Sequence, residues 1–74
     1  MTRLPACEPA DVIRALRQAG FDLHHTRGSH RYLRHPQRSG LVTVPVHSRD
    51  LKRGTLLSIL RQAGLSREEF LELL

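Results

Sequence analysis

At 74 residues the chain has room for one small domain, spanning 1–74, and a domain of that size must commit nearly every apolar segment to a single core. It has no long apolar run, no apolar leader before a small-residue cleavage site and only one cysteine, Cys7, which argues against a membrane span, a secretory signal, an internal disulfide and a cysteine-based zinc site. The expectation is a protein of the reducing cytoplasm with a net charge of +5, eleven of its twelve cationic side chains being arginine.

Pro9 suits the first turn of a helix, where its missing N–H costs nothing. Val12, Ile13, Leu16 and Ala19 then recur at helical spacing up to Gly20, a residue suited to the position just past a helix end. The spacing predicts a helix over 9–19. The period then changes to two: Phe21 and Leu23 alternate with Asp22 and His24, as in a half-buried strand, which would place His24 and His25 on opposite faces. Arg27-Gly28-Ser29 reads as a turn and His30 to Arg34 as a second strand, with either Tyr32 or Leu33 pointing inward. After the turn-rich stretch 36–40, Val42, Val44 and Val46 mark a third strand with one apolar face. Arg49 to Arg53 is a polar connection. Gly54-Thr55 starts a helix carrying Leu56, Ile59, Leu60 and Ala63 and closed by Gly64. Ser66 and Glu69 match the capping box of a short last helix, with Leu65 and Phe70 as its hydrophobic staple.

Leu16-Arg17-Gln18-Ala19-Gly20 recurs as Leu60-Arg61-Gln62-Ala63-Gly64. The flanking elements differ, so the repeat reads as one way of ending a helix used twice. The order α-β-β-β-α with a short C-terminal helix predicts an α+β domain, with the helices on one face of a three-stranded antiparallel sheet. That layout resembles the double-stranded-RNA-binding fold.

Charge is distributed unevenly. Between His24 and Arg53 stand Arg27, Arg31, Arg34, Arg38, Arg49, Lys52 and Arg53 against Asp50 alone, and all five histidines fall there too. Arginine's fork matches phosphate oxygens, so this segment suits a polyanion such as RNA. His30 follows a glycine turn at the start of a strand, where a side chain is held yet accessible, and imidazole exchanges protons near neutral pH. RNA carries its own nucleophile, the 2′-hydroxyl. Cutting it therefore needs mainly a proton acceptor or donor and cations near the phosphate, which Arg27, Arg31 and Arg34 can supply. Spacing alone does not separate a catalytic His30 from an ordinary exposed or capping histidine. A metal site built from His24, His25, His30, His35 and His47 matches no standard ligand spacing, and carboxylates are nearly absent nearby; neither a metal nor another cofactor is expected. His47 is a candidate for RNA contact or for loop capping. Tyr32 and Phe21 are the only aromatics outside the last helix, too few for a base-stacking platform.

A longer pattern runs through the chain. Gly28-Ser29-His30 is followed by Arg34-His35-Pro36, Val42-Thr43-Val44-Pro45-x-His47, Leu51-Lys52-x-Gly54-Thr55-Leu56, Ile59-Leu60-Arg61-Gln62-Ala63-Gly64 and Glu69-Phe70. In order and spacing these resemble the HicA toxins of bacterial toxin–antitoxin pairs, from about Leu4 to Leu74. The resemblance implies a double-stranded-RNA-binding-like fold and an endoribonuclease that cuts messenger RNA without a metal. It places the single catalytic histidine of the family's Gly-Ser-His motif on His30. It also implies a cognate HicB-type antitoxin covering His30 and its surroundings, with the free toxin a monomer. The residues expected to contact RNA are Arg27, Gly28, Ser29, Arg31, Arg34, His47 and Lys52, with Ser29 and the nearby arginines placing the phosphate. Three positions depart from the common pattern: Arg27 replaces a lysine, Arg31 stands where a second histidine is frequent, and Arg53 replaces a frequent proline. A non-catalytic RNA-binding module of the same fold is the alternative.

Overall fold

The computed structural model describes residues 3–46 and 49–74. Its elements run α1 (Pro9–Gln18), β1 (Asp22–Arg27), β2 (His30–Arg34), β3 (Val42–Pro45), α2 (Arg53–Ala63) and α3 (Arg67–Leu73). The strands form an antiparallel meander in the order β1-β2-β3. The fold is the expected α+β arrangement, with the helices against one face of the sheet.

Each helix has a chemical reason to begin and end where it does. Pro9 opens α1 after Glu8, whose N–H is accepted by the Asp11 carboxylate at 3.1 Å. At its other end, the N–H of Phe21 reaches back to the Leu16 carbonyl at 3.0 Å, with Gly20 at φ 102°. The end of α2 repeats this: the Leu65 N–H bonds the Leu60 carbonyl at 3.0 Å around Gly64 at φ 72°. The five-residue repeat is therefore the same hydrogen-bonded helix stop, used twice. In α3 the capping box forms as expected. Ser66 Oγ accepts the Glu69 N–H at 3.0 Å, and the Glu69 carboxylate accepts the Ser66 N–H at 2.8 Å. That backbone bond, with the Ser66 hydroxyl, holds the Glu69 carboxyl below its ordinary pKa. Asp11 is lowered likewise, first by the Glu8 N–H and then by Arg14 at 2.7 Å.

The core lies between the sheet and the helices. Leu33, Val42 and Val44 face Val12, Ala15 and Leu16 of α1, Leu56, Ile59, Leu60 and Ala63 of α2, and Phe70 of α3. Leu33 is buried and Tyr32 is not, which fixes the parity of β2. Phe70 is fully buried, and truncating such a side chain costs about 3–5 kcal/mol. Cys7 completes one end of the core, and its carbonyl accepts the Leu51 N–H at 2.8 Å, tying the N-terminal segment to the approach of α2.

Four expectations change. β1 is not half-buried: all six of its residues are exposed, and Leu23 is 44% exposed although it sits opposite Leu33. The helices pack over β3 and leave this outer strand uncovered. Phe21 is buried, but it precedes the strand. β3 ends at Pro45, so Val46 lies beyond the strand and packs partly buried against the core. Finally, α2 starts at Arg53, one residue before the expected Gly54.

Candidate functional site

The turn that carries His30 is fixed from both sides. Gly28 adopts φ 59°, a left-handed conformation that glycine enters without cost, and this turns β1 back into β2. The Ser29 carbonyl accepts the Val46 N–H at 2.6 Å, which fastens the end of β3 to the same turn. His30 then pairs with Arg27 on β1 and with Pro45 on β3. Residues directly opposite each other in a sheet share a face, with Cβ atoms about 4.5–5.5 Å apart. Arg27, His30 and Pro45 therefore form one row, and since Leu33 faces the helices, that row lies on the open face. His30 and Arg27 are exposed, and no carboxylate among the described residues pairs with either.

The next row is His25, Tyr32 and Thr43, and beyond it Asp22 lies opposite Arg34. The pairing shifts between Leu23 and His25, leaving His24 as an extra residue in β1. His24 and His25 do not straddle the strand as the alternation suggested. Both are exposed, and their Nδ1 atoms meet at 2.7 Å, because the bulge turns the two side chains together. The His25 ring also stacks on Tyr32, with centroids 4.4 Å apart and planes 13° from parallel.

The remaining candidates divide between the two faces. Arg34 shares the open face with His30 and Tyr32 by its strand parity. Arg31 does not. It pairs with buried Val44, so its side chain leaves the sheet on the helix side, where it lines a cavity of about 460 Å³ with Ile13, Arg14 and Arg17 of α1. Lys52 is the residue before α2 and lines a cleft of about 420 Å³ with Pro45, Arg49, Asp50 and Thr55. Pro45 thus belongs both to the His30 row and to this cleft. No side chain caps the N-terminus of α2 and its first turn has no acidic residue, so its backbone N–H groups add to the positive charge of Lys52 and Arg53. His47 lies outside the described residues.

Sequence reasoning counted Arg49 in the basic segment without singling it out as a site residue, and it gave Thr55 only a place at the start of a helix. His35 has a structural post: its ring meets Phe21 edge-on at 5.1 Å, and its Nδ1 accepts the Gln37 N–H at 3.0 Å. Among the described residues no three histidine, cysteine or carboxylate side chains gather as a metal site requires. No described helix is long and apolar enough to cross a membrane.

The arrangement is an exposed imidazole beside a guanidinium on an open, basic sheet face, next to a cationic cleft. It can exchange a proton with a substrate while holding that substrate's anionic group. A family model described as HicA toxin of bacterial toxin–antitoxin matches residues 9–65, a span that contains every candidate residue named above. No curated protein matches the chain.

Proposed function

Because the chain belongs to the HicA family of bacterial toxin–antitoxin toxins, we propose that it is a metal-independent endoribonuclease that cuts messenger RNA with His30. The observation that carries this reading is the row Arg27–His30–Pro45, which sets an imidazole beside a cationic side chain on an exposed face. In the reaction, the 2′-oxygen of the RNA attacks the adjacent phosphorus and the bond to the 5′-oxygen breaks. The products are a 2′,3′-cyclic phosphate and a 5′-hydroxyl. One proton leaves the 2′-hydroxyl and one reaches the departing 5′-oxygen. His30 serves one of these transfers, as base or as acid, and such a contribution is worth about 10²–10⁴-fold. Arg27 offsets the charge that gathers on the phosphate oxygens, and the exposed Ser29 and Gly28 of the turn place the phosphate. The chain continues past Pro45 toward Lys52 and the start of α2, where a neighbouring phosphate meets positive charge.

The purified protein should cut RNA in the presence of a chelator, and His30→Ala should not. Cutting that survives the substitution would remove His30 from the mechanism. RNA binding without cutting from pH 6 to 8 would favour the non-catalytic module, which the same basic open face supports. The silencing partner we propose is a HicB-type antitoxin that covers the His30 row, with charge steering the encounter. The free toxin acts as a monomer in the cytoplasm.

A further inference from the structure

Tyr32 is the protein's only tyrosine, and there is no tryptophan. It follows His30 by two positions along β2, so the two side chains stand on the same face about 6.6 Å apart along the strand. On its β1 side Tyr32 is stacked by His25, 13° from parallel, and His25 is braced in turn by the edge of His24 at 4.9 Å. The 2.7 Å contact between the two Nδ1 atoms pairs a donor imidazole with an acceptor one, so both rings are held. On its β3 side the partner of Tyr32 is Thr43, a small residue, and no ring among the described residues covers that face of the tyrosine. The result is a part-exposed aromatic ring stacked by an imidazole on one side and met by no described ring on the other, flanked along β2 by His30 and Arg34.

We propose that Tyr32, backed by His25 and His24, is the stacking site for an unpaired base of the RNA, adjacent to the phosphate that reacts at His30. The position of that phosphate rests on the ribonuclease reading above; the stacking site itself does not. Aromatic residues were too few for a platform when only Tyr32 and Phe21 were counted, but the two imidazoles of β1 supply the missing rings. Because this group is already ordered, capturing a base costs little side-chain entropy. Arg27 and Arg34 lie one row to either side and match the phosphates that flank such a base. A base inside a duplex has both faces covered, so the site takes single-stranded RNA at the cut.

The sole tyrosine makes the test direct. Full-length protein carrying His30→Ala, which should bind without cutting, is titrated with a short unstructured RNA while tyrosine emission is followed. Emission should be quenched as the RNA saturates, and a blunt duplex of the same sequence should leave it unchanged. Tyr32→Ala should weaken binding about five- to a hundredfold, the usual range for one base–aromatic stack, while Tyr32→Phe should retain it. His25→Ala, at an exposed position, should weaken binding less and guards against a folding defect in the tyrosine variant. Single-stranded RNA that binds with unchanged emission, or with equal affinity for Tyr32→Ala, would overturn the proposal. Quenching by RNA that the native protein never cuts would leave the stacking site standing and remove the ribonuclease reading. Cutting by Tyr32→Ala with an unchanged KM would do the reverse.

Discussion

The side-chain carbonyl of Gln62, on α2, accepts the backbone N–H of Thr43 at 3.0 Å and so closes the outer edge of β3. Edge strands expose unpaired amides that invite pairing with another chain, and here a helix side chain occupies one of them. The other end of the Gln62 amide is held by Ser58 Oγ at 3.3 Å. Gln62→Ala should lower stability by about 1 kcal/mol, the usual worth of such a bond. Gln62→Glu keeps an acceptor and should lose less. In a domain of this size 1 kcal/mol corresponds to roughly 4–8 °C in Tm, which thermal unfolding can resolve. Equal melting of the two variants would mean that the bond does not hold the edge.

Arg31 is the chain neighbour of His30 and Arg27 lies three residues before it, yet the two arginines stand on opposite faces of the sheet. Arg27→Ala should lower kcat/KM for RNA cleavage by about tenfold or more, as loss of one charge-stabilising group does. Arg31→Ala should leave kcat near its native value. The contrast is informative because both changes remove the same charge. Equal losses would show that net charge, and not position in the row, controls the rate.

Asp11 and Glu69 both have folded-state pKa values lowered by the N–H groups they accept at helix starts. The folded protein therefore binds fewer protons than the unfolded chain in the acid range. Their stabilisation is complete above the unfolded carboxylate values, about 4, and is lost as pH falls through the lower folded values. Tm should decline in that window. Replacing both residues, as Asp11→Asn with Glu69→Gln, should flatten the decline, and an unaltered acid profile would show that other groups cause it.

Burial, with the nearby Asp11 and Asp50 carboxylates, pushes the Cys7 thiol above its ordinary pKa. The thiolate is the reactive form, so both its scarcity and its burial protect the residue. A chromogenic disulfide reagent at pH 8 should modify the native protein only as fast as the core opens. The reaction should become immediate in denaturant. Rapid labelling of the native protein would mean that the N-terminal segment is not held by Leu51 as the structure has it.

Gly20 combines φ 102° with a close neighbour: a Cβ added there would lie 2.9 Å from Nε2 of His35. Gly20→Ala should cost about 1–3 kcal/mol from backbone strain, with the collision adding to it. Adding His35→Ala should recover the collision and leave the strain. If the penalty at position 20 is the same with and without His35, the two residues are not coupled as the distance suggests.

Much of this was legible in the residues. Pro9, the two glycine stops and the Ser66–Glu69 box mark helix ends through local chemistry, which needs no knowledge of the rest of the fold. The valines of β3 and the stripe from Leu56 to Ala63 announce their buried faces by period alone. What stayed hidden depended on register or on coverage by distant elements. Leu23 looks inward by alternation, yet no helix reaches far enough to bury it. The bulge at His24 inserts one residue and brings together two histidines that strict alternation would separate. Likewise, Arg31 adjoins His30 in the chain but leaves the sheet on the other side. The His30 assignment came from the family's motif; its row with Arg27 and Pro45 had to come from the structure.

β1 supplies Arg27 and His25 to the open face of the sheet, yet it buries none of its own residues. It is held chiefly by its ladder to β2, and with so little apolar surface buried it is the element expected to open first, without waiting for the core. Warming should then detach β1, with Arg27 and His25, while the helices and the core-anchored β2 remain intact. Activity that depends on Arg27 would fade below the temperature at which helical signal is lost, so one outer strand of exposed residues, rather than the packed interior, would set the toxin's heat tolerance.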